Sequence, residues 1–125
     1  MYADEARLQQ VIDNLLSNAI NFTQNGTITI TAYRAQVDTK GEIDESDRES
    51  IVVEMRDTGT GINSEMLPRL FDKFATRSMS GTGLGLYISK SIVDSHDGKI
   101  WAYNNKDGKG ATFTFTLPIN KKDKK

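Results

Sequence analysis

The sequence predicts an α+β two-layer sandwich, in which one mixed, mostly antiparallel sheet packs on about three helices. Apolar residues recur at intervals of three and four in residues 8–22, which is the period of a helix that buries one broad face. Single-residue alternation in residues 27–35 and 111–117 indicates strands. The order helix, two strands, helix, helix, two strands favours helices segregated to one face of an antiparallel sheet.

The first helix carries a stripe of three asparagines beside its apolar face. Asn14, Asn18 and Asn21 are spaced by four and three residues, so they fall in one narrow line. Asparagine is a poor residue for a helix interior because its side chain competes for the backbone. The stripe indicates either amide groups that face a polar ligand or metal, or a solvated helix edge. The apolar face consists of Leu8, Val11, Ile12, Leu15, Leu16, Ala19 and Ile20.

Two strands are predicted after a turn at Asn25-Gly26. The first strand, residues 27–35, places Ile28, Ile30 and Ala32 on one face. Residues 36–50 are polar and acidic, and we expect an exposed connection there. The second strand, residues 51–56, is predicted to be antiparallel to the first and leads directly into Asp57 and the glycine turn that follows it.

The second half of the chain is predicted to alternate helices, glycine-rich loops and strands. Ser64 is placed to cap a short helix, and Gly98 supplies a helix stop. Pro118 ends the last strand. The predicted elements are a helix over residues 65–72, a polar loop over 75–80, a helix from the glycine run 81–86 to about residue 95, strands over 99–104 and 111–117, and a hairpin turn over 105–110.

Length and composition set limits on the class of protein. A chain of 125 residues suits one domain, predicted over residues 1–120, with residues 121–125 as a disordered basic tail. A net charge of −1 gives no reason to expect nucleic acid or an anionic membrane as partner. The absence of cysteine excludes disulfides, thiol catalysis and cysteine-ligated metals. With no apolar run long enough to cross a membrane, we expect a cytoplasmic protein.

Two glycine-rich turns are candidate ligand sites. Residues 81–85, GTGLG, lead into a helix, so their bare N–H groups and the helix dipole would suit a phosphate; a flexible joint is the alternative. The spacing is not the dinucleotide fingerprint. Asp57 ends a strand in DTGTG, where glycines let the backbone approach a ligand and a carboxylate can accept a hydrogen bond from an amine such as that of adenine. A turn-initiating aspartate is the plainer interpretation of the same residue.

Isolated polar residues carry weaker signals. Arg77 lies in the short loop before the glycine run, where it would reach a terminal phosphate or remain a solvated charge. His96, the only histidine, ends a helix and is interpreted as a capping or packing residue.

Four aromatic residues are interpreted first as packing residues. Phe71 and Phe74 are predicted to anchor the core, and they also bracket the loop. Trp101 and Tyr103 project on the strand face opposite Ile100.

Five motifs in order resemble the catalytic ATP-binding domain of sensor histidine kinases. NLLSNAINFT at residues 14–23 resembles the N box, DTGTGI at 57–62 the first glycine box and LFDKF at 70–74 the F box. GTGLGL at residues 81–86 and GKGATFTFTLP at 108–118 resemble the remaining two glycine boxes. The resemblance covers nearly the whole chain. It implies the Bergerat fold of the GHKL superfamily, which also holds gyrase, heat-shock and mismatch-repair ATPases.

The resemblance also implies residue roles around ATP and Mg²⁺. Asn18 would coordinate the magnesium and Asn14 would face the phosphates beside it. Asp57 would receive the adenine amine, with a water shared by a threonine near Thr112, while Arg77 resembles the basic lid residue. The resemblance assigns the catalytic role to Asn14, Asn18 and Arg77. The nucleotide contacts that it implies are Asn14, Asn18, Asn21, Phe22, Asp57, Gly59, Gly61, Ile62, Phe74, Arg77, Gly81, Thr82, Gly83, Leu84, Gly85, Leu86 and Thr112.

Two residues depart from the family pattern. Asn21 stands where the family usually has a lysine, which removes a charge-assisted phosphate contact of about 1.5–3 kcal/mol. Asp97 replaces the first glycine of the usual HGG turn, which we expect to matter little.

The function implied is transfer of the ATP γ-phosphoryl to a histidine on a separate dimerisation helix. The helical hairpin that would carry this histidine is not recognised in the sequence. The chain alone is therefore expected to bind nucleotide as a monomer without autophosphorylating. Its partners would be the histidine-bearing dimerisation domain and, indirectly, a response regulator. Two alternatives remain: a nucleotide-binding pseudokinase or sensor, favoured by Asn21, and an anti-sigma-factor-type serine kinase.

Overall fold

The structure, a computed structural model, describes residues 5–23, 25–37, 48–75 and 84–118. Two α-helices and four strands make up the described part. Helix α1 covers Glu5–Phe22 and helix α2 covers Gly85–Ser95. The strands are β1, Ile28–Val37; β2, Arg48–Asp57; β3, Lys99–Asn104; and β4, Ala111–Pro118.

The four strands form one sheet in the order β1-β2-β4-β3, and each neighbouring pair is antiparallel. Strands β2 and β3 therefore run in the same direction with β4 between them. No parallel pair joins these four strands, so the parallel component expected of a mixed sheet is not found in the described residues. Residues 1–4, which the sequence predicts as the end of a strand with Asp4 as the cap of the first helix, also lie outside the described residues.

The two helices cover one face of the sheet, and the core lies between the two layers. Helix α1 contributes Val11, Leu15 and Ala19, which are at most 1% exposed, and the strands contribute residues such as Phe113 and Phe115. The predicted α+β two-layer sandwich is thus confirmed. The apolar face of α1 is also confirmed except at its end, where Ile20 is 56% exposed.

The third predicted helix is wrong in length and type. Only Leu67–Arg69 forms a 3₁₀ helix, flanked by further tight turns in place of an α-helix over residues 65–72. Pro68 has no N–H to donate to the carbonyl four residues back, which removes one α-helical hydrogen bond. The sheet therefore packs on two α-helices and one short turn of helix.

Phe71 and Phe74 behave differently, although the sequence predicts both as core anchors. Phe71 packs edge-on against Phe113, with ring centroids 6.5 Å apart. Phe74 is 50% exposed and has a φ of 67°, a left-handed conformation that is uncommon for a bulky residue. The prediction of Phe74 as a core residue is wrong, since half of its surface is exposed.

The sequence predicts Leu84, Ile88 and Ile92 on one side of helix α2, but of these only Ile92 is buried. The buried residues are Leu86, Ser89, Ile92 and Val93, whereas Leu84 and Ile88 are half-buried. Ser89 turns inward because its hydroxyl bonds the Gly85 carbonyl and the Asn14 side chain.

His96 is the C-cap residue of helix α2 and directly follows Ser95. Its ring Nδ1 lies 2.8 Å from the Ile92 carbonyl oxygen, which confirms the capping role. The next residue, Asp97, takes a left-handed φ of 62°. Aspartate adopts that conformation more readily than most residues, so the departure from glycine there is accommodated.

The open face of the sheet carries polar and aromatic side chains. Trp101 is half-buried and Tyr103 is 44% exposed, on the face opposite Ile100 as predicted. On the helix-covered side the predicted face of β1 is also confirmed, since Ile30 pairs with the buried Met55. Ile30 is nevertheless 51% exposed, because β1 is the edge strand.

Candidate functional site

The site is built around Asp57, the last residue of β2. Its side chain is fully buried, and Oδ1 accepts hydrogen bonds from the Gly59 N–H at 2.9 Å and the Ala111 N–H at 3.2 Å. The other oxygen, Oδ2, is buried with no partner among the described residues. Buried polar atoms in native proteins are nearly always hydrogen-bonded. This oxygen is therefore a vacant acceptor, suited to an N–H donor of a ligand.

The β3–β4 hairpin packs directly against the backbone of Asp57. Gly110 has a φ of 81°, and a Cβ at this position would overlap the Asp57 carbonyl. Only glycine permits both the left-handed backbone and this close approach. The approach brings the Ala111 N–H to the Asp57 carboxylate, because Ala111 follows directly in the chain.

The glycine turn after Asp57 is bonded by a side chain of β3, which lies beyond β4 in the sheet. Gly61 has a φ of 81°, which explains the need for glycine there. The next residue, Ile62, is 4% exposed and packs in the core, while its N–H and C=O both bond the Asn104 side chain at 2.7 and 2.8 Å. The turn is thus fixed at both ends, by the carboxylate of Asp57 and by the amide of Asn104.

Asn105 connects the hairpin to Asp57 from inside the protein. The residue is 4% exposed, and its Nδ2 donates to the carbonyls of Asp57 and Lys109 at 2.9 and 2.8 Å. Its Oδ1 accepts the Thr112 hydroxyl at 2.6 Å. The structure therefore places Thr112 one step away from Asp57, through Asn105. That Thr112 and Asp57 share a water beside adenine stays a prediction.

Asn14 joins the two helices. Its Nδ2 donates to the Gly85 carbonyl at 3.1 Å and lies 3.2 Å from the Ser89 hydroxyl. Both N–H groups of the amide are thereby directed at α2, which opens with the last part of the glycine run. The expected role of Asn14 beside the phosphates stays a prediction, and a structural role in the contact between α1 and α2 is added to it.

The other two asparagines of the stripe lie in different environments. Asn18 is 3% exposed, and its Nδ2 has no partner among the described residues. Asn21 is exposed in the last turn of α1. The stripe is therefore not a uniformly solvated edge, because two of its three members are partly or fully buried. Asn18, whose buried Nδ2 has a spare N–H, is the member best suited to an acceptor oxygen of a ligand, such as a phosphate oxygen.

Several predicted site residues lie outside the described part of the chain or have core positions. Leu86 is 2% exposed and packs in the core, and Leu84 is half-buried immediately before α2. The residues outside the description are Arg77, Gly81, Thr82 and Gly83, together with the side chain of Phe22. Their predicted contacts stay predictions.

Metal binding by clustered acidic or histidine side chains is not seen in the described ranges. No group of three or more His, Asp or Glu side chains gathers there. A metal bound in this region would depend on amide oxygens such as that of Asn18, and on ligand oxygens, which are donors that Mg²⁺ accepts. No helix of the described structure is long and apolar enough to cross a membrane.

Sequence reasoning missed Asn104, Asn105 and Ser89 as parts of the site. The first two lay in a segment interpreted as a strand end and hairpin turn, and Ser89 lay in a helix judged by its apolar residues. A signal was present in the pair Asn104-Asn105, since two consecutive asparagines before a Lys-Asp-Gly turn supply more amide groups than the turn needs. Nothing in the sequence pointed to Ser89.

Comparisons with known proteins show the family to which the chain belongs. The family model for histidine kinase-, DNA gyrase B- and HSP90-like ATPases matches residues 3–121. The autoinducer 2 sensor kinase/phosphatase LuxQ of Vibrio parahaemolyticus is 37% identical over 130 residues, which cover 99% of this chain and 14% of that protein. The sensor protein FixL of Bradyrhizobium diazoefficiens is 40% identical over 119 residues, covering 93% and 21%. The chain thus spans about a fifth or less of the curated relatives it matches.

Solved structures show the same fold. The catalytic domain of the histidine kinase ThkA is 36% identical with a TM-score of 0.71, and the match covers 93% of this chain and 69% of that one. Full-length ShkA in complex with AMPPNP is 30% identical with a TM-score of 0.73, covering 93% and 22%.

Proposed function

The chain belongs to the family of histidine kinase-, DNA gyrase B- and HSP90-like ATPases, and from that membership we propose that it is the ATP-binding catalytic domain of a two-component sensor histidine kinase. The observation that carries the proposal is the buried Asp57 carboxylate, with one oxygen fixed by two backbone N–H groups and the other vacant. A rigidly held acceptor of this kind suits the 6-amino group of adenine.

The phosphates and Mg²⁺ are assigned to the asparagine stripe and the start of α2. Asn18 would offer its amide oxygen to the ion, and Gly85 opens α2 at the positive end of the helix dipole. When bound, Mg²⁺ would neutralise phosphate charge and hold the phosphates in place. The role of Arg77 as the basic lid residue belongs to the same proposal.

The reaction proposed is transfer of the γ-phosphoryl of ATP to a histidine nitrogen on a dimerisation helix. The bond between the γ-phosphorus and the bridging oxygen breaks, a nitrogen–phosphorus bond forms and the histidine loses a proton. Positioning and charge stabilisation supply most of the catalysis in such transfers. The relatives are several times longer than this chain, which supports a parent protein that carries the dimerisation domain. A response regulator would be the indirect partner.

One observation favours a second candidate, a nucleotide-binding sensor without kinase activity. Asn21, which stands where the family usually has lysine, is exposed in the last turn of α1. An exposed neutral amide supplies no charge to a phosphate, so transfer would be slower than in relatives that keep the lysine.

Calorimetric titration with ATP and ADP, with and without Mg²⁺, tests the proposal. We expect Mg²⁺-dependent binding that Asp57→Asn weakens at least tenfold, because the substitution replaces a charged acceptor with a neutral amide. Asp94→Asn is the matched control, since Asp94 is an exposed aspartate of α2 that pairs with Lys90. We expect its affinity to equal that of the unmodified protein.

Two results would count against the proposal: no binding by the folded protein, or equal binding by Asp57→Asn.

Addition of a histidine-bearing hairpin to the protein separates the kinase from the nucleotide-binding sensor. An acid-labile phosphate on the hairpin supports the kinase, whereas nucleotide binding with no transfer supports the sensor.

A further inference from the structure

Two consecutive asparagines at the end of β3 hold the two backbone segments that meet at Asp57. Asn104 uses its amide as a two-point clamp on Ile62, accepting the Ile62 N–H and donating to the Ile62 carbonyl. Asn105 uses its own amide on Asp57 and on the hairpin. The two side chains alternate across the strand end, so that neighbouring residues reach different segments.

All the polar groups of the Asn105 side chain are engaged. Nδ2 donates to the carbonyls of Asp57 and Lys109, and Oδ1 accepts the Thr112 hydroxyl. Its backbone N–H also bonds the Gly110 carbonyl at 3.0 Å. A fully satisfied buried amide of this kind fixes the relative position of the groups it joins.

This position decides where the vacant carboxylate oxygen points. Oδ1 of Asp57 is anchored by the Ala111 N–H, and Ala111 lies one residue after Gly110 in the hairpin that Asn105 holds. A shift of the hairpin would move that anchor and rotate the carboxylate about its own axis. Hydrogen bonds weaken steeply with misalignment. A rotated Oδ2 would therefore lose its hydrogen bond to the 6-amino group, which is fixed on the rigid purine ring.

We propose that Asn105, assisted by Asn104, is a positioning residue that makes the site selective for a purine with a 6-amino group. The proposal rests on the proposed function and goes beyond it by assigning base selectivity to residues that need not touch the nucleotide. Asn105 acts through Asp57 and Ala111, and Asn104 acts through the turn at Gly61 and Ile62. The substrate class that follows is an adenine nucleotide.

The test compares ADP with purine riboside 5′-diphosphate, which lacks the 6-amino group. Asn105→Asp keeps the size of the side chain and the acceptor for Thr112 but removes both donors. We expect its preference for ADP over the analogue to fall about tenfold, with little change in affinity for the analogue, since a hydrogen bond to a charged group contributes about that much. A merely structural role would weaken both ligands equally and leave the ratio unchanged.

Matched variants keep the result interpretable. Lys106→Ala changes an exposed residue of the same hairpin and should keep the ratio of the unmodified protein. Asn105→Ser keeps one short donor and serves if Asn105→Asp does not fold, as judged by thermal unfolding. Its ratio is expected to fall about threefold or more, because the shorter side chain cannot reach both carbonyls. An unchanged ratio in the folded variant overturns the inference.

A double-mutant cycle shows whether the effect passes through Asp57. In the Asp57→Asn background, the Asn105 substitution should no longer change the ratio, because the acceptor that it positions has been altered. An undiminished effect in that background contradicts the inference. If the unmodified protein binds neither nucleotide, the proposed function itself fails. If it binds both equally, adenine recognition by Asp57 fails and the inference falls with it.

Discussion

At the residue scale, the site depends on groups whose partners are incomplete within the protein. Asp57 Oδ2 and Asn18 Nδ2 are both buried without a hydrogen-bond partner among the described residues. Burial of such a group costs about 1–3 kcal/mol unless a partner is supplied. The proposed function assigns ligand contacts to both positions, so a bound nucleotide would supply the missing partners.

Asn21 is the residue at which the sequence departs from the lysine that the family resemblance leads us to expect. We predict that Asn21→Lys tightens ATP binding about three- to tenfold, because an ammonium group at the exposed end of α1 can reach a phosphate. The gain should shrink at high salt, since exposed charges are screened. Calorimetry at two ionic strengths measures both effects.

Gln9→Lys is the control for Asn21→Lys. Gln9 lies on the same helix, is exposed and faces away from the asparagine stripe. It adds the same charge without a route to the phosphates. Equal affinity gains in the two variants would show that net charge alone is responsible, and no gain at Asn21 would show that the missing lysine is harmless.

At the element scale, helices α1 and α2 are joined by a buried polar contact as well as by apolar packing. Ser89 is fully buried and donates to the Gly85 carbonyl at 2.9 Å, and Asn14 lies within hydrogen-bonding distance of the same hydroxyl. Asn14 also donates to the Gly85 carbonyl. The start of α2, to which the proposed function assigns the phosphates, is therefore positioned by Asn14 of α1.

We predict that Ser89→Ala lowers the free energy of unfolding by about 1–3 kcal/mol, because it leaves one partly buried N–H of Asn14 without its acceptor. Ser91→Ala is a closely matched control. Both serines donate to the carbonyl four residues back, but Ser91 is exposed. Its effect should stay within about 0.5 kcal/mol. Denaturant unfolding of the two variants measures the difference, and equal losses would contradict the role assigned to the contact with Asn14.

At the scale of the whole molecule, one core supports both layers, while the open face of the sheet depends on side-chain pairs. Tyr33 on β1 donates its hydroxyl to Glu54 on β2 at 2.9 Å. Burial, this hydrogen bond and the nearby charge of Glu54 raise the pKa of Tyr33 from 10.0 to about 12. The protonated phenol therefore helps to hold the edge strand to the sheet.

The raised pKa of Tyr33 predicts a pH dependence of stability with a definite sign. Between pH 10 and about 12 the folded protein retains a proton that the unfolded chain releases, so stability falls as pH rises through that window. The contribution is complete below pH 10. Tyr33→Phe should show a shallower fall, measured by denaturant unfolding at intervals from pH 9 to 12. Tyr87→Phe, which removes a hydroxyl from α2, controls for the loss of a phenol, and a slope unchanged by Tyr33→Phe would refute the prediction.

Much of the fold was predictable because it follows from local pattern. The period of apolar residues located α1, and single-residue alternation located β4, since burying one face requires those spacings whatever the rest of the chain does. The third helix failed because Pro68 lacks an N–H that an α-helix over residues 65–72 would use, an effect that apolar spacing does not show. The buried stripe of α2 was shifted because Ser89, a polar residue, turns inward to meet Asn14.

The sequence by itself determined the order of the elements, the family and the identity of Asp57 and Asn18 as site candidates. The tertiary structure decided how Asp57 is held, through the register that sets Ala111 beside it and through the amide of Asn105, 48 residues away in the chain. A motif shows which residues lie close together in the chain. Whether an acceptor such as Asp57 Oδ2 has a partner depends on every donor that the fold packs around it. Those donors come from β4 and the hairpin, and only folding brings them to the end of β2.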